Sequence, residues 1–185
     1  MNTRNRFRSF VALSALVASA GIASADIYDE TVLGDLASVD AGPTIFDLSV
    51  GTNSVIGTIG GDDFEDFVGF SIGAGQQVTS ITLTSFITAG GNASTGFRLY
   101  TNQGGGWFQA SSGLMTTSDV GTDYLNVWDL SDVGGSAPLG PGNYGVVLAE
   151  FTSGQAYSFD ITVTPTPGSL AILGLGGLAA TRRRR

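Results

Sequence analysis

The sequence contains no cysteine, no histidine and no lysine in its 185 residues. Without cysteine the chain has no disulfide bonds, no thiolate metal ligands and no cysteine nucleophile. Without histidine it lacks the commonest general base and the commonest transition-metal ligand, so a Ser-His-Asp triad cannot be built. These absences exclude the most frequent hydrolase sites, and we predict that the protein is not an enzyme.

Positive charge is scarce and stands almost entirely at the two ends of the chain. Three of the eight arginines are Arg4, Arg6 and Arg8, and four form the C-terminus. Arg98 is therefore the single cation between the ends, against sixteen carboxylates. A surface this acidic repels nucleic-acid phosphates and gains nothing from anionic lipids, so we expect neither as a partner of the folded domain.

The first 25 residues have the layout of a secretory signal peptide. The basic start is followed by an apolar run from Phe10 to Val17 and by small residues at Ala23, Ser24 and Ala25. We predict that signal peptidase cuts after Ala25. The mature chain would then begin at Asp26 and be exported.

The last segment, residues 165–185, combines a proline hinge, a short apolar run and an arginine block. The apolar run from Ser169 to Ala180 is shorter than the about 20 residues that a full membrane span needs. Arginines after such a run stay on the cytoplasmic side, so the segment is typical of a membrane-stop signal. The hinge is Pro165, Thr166, Pro167 and Gly168, and the stop residues are Arg182, Arg183, Arg184 and Arg185.

In order and position these parts resemble the PEP-CTERM sorting signal of Gram-negative and related bacteria. In that family an exosortase, a membrane-embedded cysteine transpeptidase, recognises the tail and cuts near the proline motif. Thr166 stands where the family usually has glutamate. The resemblance implies an inner-membrane intermediate held by the C-terminal helix, followed by processing and display at the cell surface or outside the cell. A simple tail anchor is the alternative interpretation.

Residues 26–164, between these two signals, are enough for one domain with its own core. Glycine, serine and threonine are abundant, and short β-branched and aromatic runs are separated by turn residues. We predict an all-β fold: a single antiparallel β-sandwich or jelly roll, flanked by an N-terminal signal helix and a C-terminal hydrophobic helix.

Alternation of apolar and polar residues predicts individual strands. From Tyr157 to Val163 the odd-numbered side chains should face the core and the even-numbered ones solvent. A further strand is predicted from Tyr124 to Leu130. Two hairpins are predicted, one from Phe67–Ile72 and the run through Val78 to Leu83, the other from Asn143–Phe151 and Ala156–Thr164.

Several of these segments are similar to bacterial pre-peptidase C-terminal domains. Those domains are small jelly rolls attached to secreted enzymes and surface proteins, often with roles in binding or secretion. The similarity spans roughly residues 55 to 164 and agrees with the predicted fold. It is carried by Asp63–Phe70, Gly75–Val78, Leu139–Tyr144 and the Tyr157–Val163 strand.

A run of acidic residues follows the Gly60-Gly61 turn and offers a candidate calcium site. Closely spaced carboxylate oxygens suit calcium, and an exported protein can use a weak site. The spacing is not that of an EF-hand, and a solvated acidic loop is the alternative. Calcium is thus the single cofactor for which the sequence offers ligands, and these would be Asp62, Asp63, Glu65 and Asp66.

A second acidic set, Asp119, Asp123, Asp129 and Asp132, could supply a glycosidase pair, but aspartate is also a favoured turn residue. We interpret this set as turn residues.

Aromatic residues give a binding hypothesis. Trp107 follows three glycines, and with Tyr100 it is a candidate for stacking on sugar rings, although core packing is the alternative. The leading functional hypothesis is an exported, non-catalytic cell-surface or extracellular-matrix protein sorted by an exosortase-type enzyme. The alternative is a carbohydrate- or calcium-binding jelly roll that links the cell to extracellular polysaccharide.

Overall fold

The computed structural model describes residues 27–89, 94–103, 105–131, 137–149 and 154–168. The predicted signal peptide (1–25), the apolar run from Ser169 and the terminal arginines lie outside these residues. Among the residues the structure describes, none of the helices is long and apolar enough to span a membrane. The elements are β1 (Ile27–Asp29), α1 (Glu30–Leu33), β2 (Thr44–Asp47), β3 (Gly51–Ile59), β4 (Glu65–Ile72), β5 (Gln76–Thr88), β6 (Thr95–Gln103), β7 (Gly106–Met115), β8 (Gly142–Ala149) and β9 (Gln155–Pro165).

The strands form two sheets that pack as a sandwich. A four-stranded sheet has the order β1-β3-β9-β5, and a five-stranded sheet has the order β2-β4-β8-β6-β7. The pairs β1/β3 and β2/β4 are parallel and the others are antiparallel. The predicted all-β sandwich is confirmed, with a parallel strand added at one edge of each sheet.

The core lies between the two sheets and follows the predicted alternation. In β9 the side chains from Tyr157 to Val163 alternate between buried and half-buried, and the four inward ones are at most 2% exposed. Phe97, from the opposite sheet, packs its ring 5.6 Å from that of Phe159. Each large apolar side chain removed from water contributes about 1.5–3 kcal/mol, so this interior is the main source of stability.

Both predicted hairpins are wrong. β4 pairs with β2 and β8, whereas β5 pairs with β9 in the other sheet. The same holds for β8 and β9, which lie in different sheets. Alternation identifies which face of a strand is buried but not which strand lies beside it, and here the connecting turns carry the chain from one sheet to the other.

The predicted strand from Tyr124 to Leu130 is also wrong. Tyr124–Asn126 is a 3₁₀ turn that begins after Asp123, whose carboxylate accepts a hydrogen bond from the Leu125 backbone N–H. Trp128 is nevertheless buried, and its Nε1–H donates to the carbonyl of Phe97 at 3.3 Å. Local capping by Asp123 therefore replaced the extended backbone while the apolar side chains still filled the core.

Candidate metal centre

Asp66 is a carboxylate placed on the core side of a strand. In β4 the residues alternate across the sheet, and Asp66 shares the inward face with Val68 and Phe70. The side chain is 0% exposed. Its Oδ2 accepts a hydrogen bond from the Tyr157 hydroxyl at 2.7 Å, whereas Oδ1 has no partner among the described residues. Burying an unpaired carboxylate oxygen is costly, so Oδ1 marks the place where a partner is missing.

The N-terminal segment brings two more carboxylates to Asp66. β1 pairs in parallel with β3, which places α1 beside the core. Glu30, Asp35 and Asp66 each direct one carboxylate oxygen so that the three oxygens lie within 4.8 Å of one another. These three residues form what we call the carboxylate centre.

The position of Glu30 is fixed by backbone donors. Its Oε1 accepts from the Leu36 N–H at 3.2 Å, and its Oε2 accepts from the Thr58 N–H at 2.6 Å. Gly57 gives the centre its room, because a Cβ there would lie 2.4 Å from the Tyr157 hydroxyl oxygen and 3.0 Å from Glu30 Cδ. The arrangement therefore depends on a missing side chain on β3.

The protonation of the centre reflects burial and mutual repulsion. Burial raises the pKa of Asp66 to about 8, and the charges of Glu30, Asp63 and Asp35 act in the same direction. Burial, again with the charges of Asp35 and Glu30, raises the pKa of Asp63 to about 6. Burial also raises the pKa of Glu30. A proton or a cation therefore favours the buried position of Asp66.

The donor chemistry fits a hard divalent cation. Every side-chain donor in the centre is a carboxylate oxygen, and calcium takes six to eight oxygens, water among them. Next to the centre an open cleft of about 950 Å³ admits solvent that could supply the remaining ligands. Nitrogen and sulfur ligands, which soft transition metals prefer, are absent from the whole sequence as histidine and cysteine. The cleft is lined by residues 35–38 and 62–65.

The four predicted calcium ligands lie in different surroundings. Asp66 belongs to the carboxylate centre, and Asp63 is half-buried beside it. Asp62 is exposed on the rim of the cleft. Glu65 points to the other side of β4, where its Oε2 accepts from the Val39 N–H at 3.4 Å. Whether any of them binds calcium stays a prediction.

Sequence reasoning missed Glu30 and Asp35. They are separated from Asp66 by about thirty residues, and only the parallel pairing of β1 with β3 brings them together. One available signal was that Asp29, Glu30 and Asp35 crowd the start of the predicted mature chain. That signal shows an acidic segment but not its destination in the fold.

The second acidic set has ordinary structural roles. Asp119 Oδ2 accepts from the Thr116 N–H at 2.8 Å, and Asp123 Oδ1 accepts from the Ile81 N–H at 3.0 Å. Hydrogen bonds from Ser131 lower the pKa of the exposed Asp129. Asp132 lies outside the described residues. The three described aspartates are therefore cap and turn residues, as interpreted from the sequence.

The candidate sugar-stacking residues lie on the outer face of the five-stranded sheet. Trp107 is half-buried rather than exposed, because its ring packs edge-on against Phe67 with 5.1 Å between centroids. The Tyr100 ring lies 5.4 Å from that of Phe67. Tyr100 and Trp107 therefore lie on the opposite side of the five-stranded sheet from Asp66, which faces inward.

The proline hinge begins where the last strand ends. Pro165 pairs with Gln76, and the Thr166 N–H donates to the carbonyl of Gly75 at 2.8 Å. Pro167 and Gly168 are exposed. A cut after the second proline would leave β9 whole, since the strand is already complete at Pro165.

Comparisons with known proteins find similarity in structure but not in sequence. No protein-family model matches the chain, and no curated protein is significantly similar to it in sequence. The crystal structure of the pre-peptidase C-terminal domain of a collagenase from Bacillus anthracis is similar at a TM-score of 0.38 and 15% identity. The match covers 65% of this chain and 95% of that domain.

Proposed function

We propose that this chain is an exported, non-catalytic β-sandwich protein of the cell surface or extracellular matrix, and that calcium completes its fold. The observation that carries the proposal is the fully buried Asp66, whose Oδ1 lacks a hydrogen-bond partner among the described residues. Asp66 also offers a carboxylate oxygen within 4.8 Å of one from Glu30 and one from Asp35. A calcium ion there would supply the missing contact and neutralise the mutual repulsion.

Calcium at this position would join two parts of the chain. Glu30 and Asp35 belong to the N-terminal segment, and Asp66 belongs to β4 of the five-stranded sheet. A ligand that bridges them stabilises the native state because the unfolded chain has no such convergent set. The native domain would therefore be most stable outside the cell, where the calcium concentration is high enough to fill a weak site.

Export and sorting complete the proposal. Signal peptidase would cut after Ala25, and an exosortase-type enzyme would act at Pro165, Thr166, Pro167 and Gly168 while the tail holds the protein at the inner membrane. The exposure of Pro167 and Gly168 directly after β9 supports access to this hinge. The released domain, residues 26–164, would carry Arg98 as its single cation.

Calcium binding is tested by isothermal titration calorimetry on the full chain, the Asp66→Asn variant and the Asp160→Asn variant. Asp160 is a matched control because it lies on the outer face of β9 and accepts a hydrogen bond from Ser54, which asparagine can still accept. We expect a dissociation constant of about 10⁻⁴–10⁻³ M for the wild type and the control, and no measurable binding for Asp66→Asn. A wild type without a calcium response would contradict the proposal.

Processing is tested separately by mass spectrometry of the native protein. We expect an N-terminus at Asp26 and the loss of residues after the hinge. An intact chain that retains both Met1 and Arg185 would rule out export and sorting, whatever the calorimetry shows.

A further inference from the structure

A second cleft lies on the outer face of the five-stranded sheet, away from the acidic centre. It has a volume of about 220 Å³. Its walls are Pro43 and Ile45 at the β2 side and Trp107 at the β7 side, with Ser71, Asn102 and Asn143 between them. The cleft therefore crosses the sheet at the end where β4 finishes and β8 begins.

The aromatic wall is held in place by packing. Phe67 is fully buried although it lies on the outer face, because its ring covers Gly145, where a Cβ would lie 2.4 Å from Phe67 Cε2. Trp107 packs edge-on against that ring. A flat indole in a fixed orientation presents an apolar surface whose electron-rich face attracts C–H groups.

The polar residues of the cleft are amides and a hydroxyl. Ser71 donates to Asn143 Oδ1, and the Gly105 N–H donates to Asn102 Oδ1 at 3.2 Å. These bonds orient both amides, and within the described residues neither Nδ2 group donates to a protein acceptor. Two oriented donors beside an aromatic wall match a ligand with hydroxyl groups around an apolar ring face.

Charge narrows the class of ligand further. None of the described residues that line the cleft has an ionisable side chain. The domain around it is strongly acidic, with Arg98 as its one cation between residues 26 and 164. An acidic polymer would be repelled at long range and would find no cation in the cleft.

We infer that this cleft binds a neutral polysaccharide, one sugar ring against Trp107 with its hydroxyls bonded to Asn102 and Asn143. A cavity of about 220 Å³ suits a single ring, since sites for drug-sized ligands begin at about 300 Å³. The inference is independent of the calcium site, which lies on the other side of the sheet. It gives the exported domain a partner in the material around the cell.

The test is affinity electrophoresis, followed by calorimetry, of the full chain in saturating calcium. The probes are a soluble β-glucan, a xylan and a galactomannan, with polygalacturonate as the charged comparison. We expect retardation by at least one neutral polymer and none by polygalacturonate. Trp107→Ala should weaken the neutral interaction by about tenfold or more. Phe108→Ala is the matched control, because Phe108 is an exposed aromatic next to Trp107 that does not line the cleft.

A further variant guards against misfolding. Trp107 packs on Phe67, so its removal could loosen the sheet, whereas Asn143 is exposed and Asn102 is half-buried. The double variant Asn102→Ala/Asn143→Ala should keep the circular dichroism and melting temperature of the wild type and lose binding about tenfold. Absence of binding to all neutral probes, or wild-type binding by the double variant, would overturn the inference.

Discussion

Two groups of acidic residues in this domain differ in their burial and in their hydrogen bonding. Asp119, Asp123 and Asp129 stand near the surface, and each accepts hydrogen bonds from nearby backbone N–H groups. Asp66, with Glu30 and Asp35 around it, is buried and keeps an unpaired oxygen. The first group stabilises turns through its hydrogen bonds alone. In the second, the unpaired oxygen of Asp66 needs a proton or a metal ion as its partner.

The contrast shows why acidic residue counts are a poor guide to metal sites. Burial raises the pKa of Asp66 to about 8, whereas hydrogen bonds from Ser131 lower the pKa of Asp129. A carboxylate whose oxygens already accept hydrogen bonds from nearby backbone N–H groups has little capacity left to bind a ligand. A buried carboxylate with one oxygen that accepts no hydrogen bond, as in Asp66, offers a ligand an oxygen that has already lost its water.

The difference between the two acidic groups is tested first by Asp66→Asn in calcium-free protein. Removing the buried charge should stabilise the domain at pH 8 by about 3 kcal/mol, after allowance for the amide's own unmet hydrogen bonds. In saturating calcium the same variant should be less stable than the wild type. Urea unfolding with chelator and with calcium measures the change in the free energy of unfolding under both conditions. A loss of stability in the calcium-free variant would contradict an unpaired buried charge at Asp66.

The next effect concerns the space around the centre. Gly57→Ala would place a methyl group 2.4 Å from the hydroxyl oxygen of Tyr157, a fully buried side chain. We expect a loss of about 2 kcal/mol from overpacking, with a weaker calcium response. Gly140→Ala is the matched control, because a Cβ there meets nothing within 4 Å. Equal melting temperatures for the two variants would show that Tyr157 and Glu30 are not held against Gly57.

Much of the fold class could be predicted because alternation is a local property. The inward positions of β9 follow from residue type and spacing alone. The sheet partners could not be predicted, since Gly73 to Gly75 is as suitable for crossing between sheets as for a hairpin. Loop composition does not distinguish the two.

The candidate centre was predictable to the same limited degree. Asp66 stood out in an acidic run, but its inward direction depends on the phase of β4, in which Glu65 faces the other way. Glu30 and Asp35 are brought near Asp66 by the parallel pairing of β1 with β3, and no sequence pattern predicts that pairing. Long-range pairing, rather than residue chemistry, was the missing information.

Without calcium, stability should depend on pH in the direction set by Asp66. Its folded pKa of about 8 lies above the usual 3.8, so between these values the folded state holds a proton that the unfolded state has released. Stability is therefore greatest near pH 4 and falls as pH rises, by up to about 1.4 kcal/mol per unit, and levels off above pH 8. Asp63, with a pKa of about 6, adds a loss of the same sign over the narrower range between its usual 3.8 and pH 6.

Urea unfolding at a series of pH values with chelator measures this slope. Asp66→Asn should flatten most of it, while Asp160→Asn should leave it unchanged. A calcium-free wild type that gains stability from pH 5 to pH 8 would contradict the buried, unpaired state of Asp66.

The smallest change in stability is expected for the surface group of aspartates, Asp119, Asp123 and Asp129. Asp123→Ala removes the acceptor for the Ile81 and Leu125 N–H groups and for the Asn126 amide. We expect a loss of about 1–2 kcal/mol, since a capping side chain and a partly buried acceptor are removed together. The loss should be the same with chelator and with calcium, and the calcium dissociation constant should not change. A calcium-dependent loss at Asp123 would mean that the two acidic groups are coupled through β5, and that satisfied and unsatisfied carboxylates in this sandwich do not act independently.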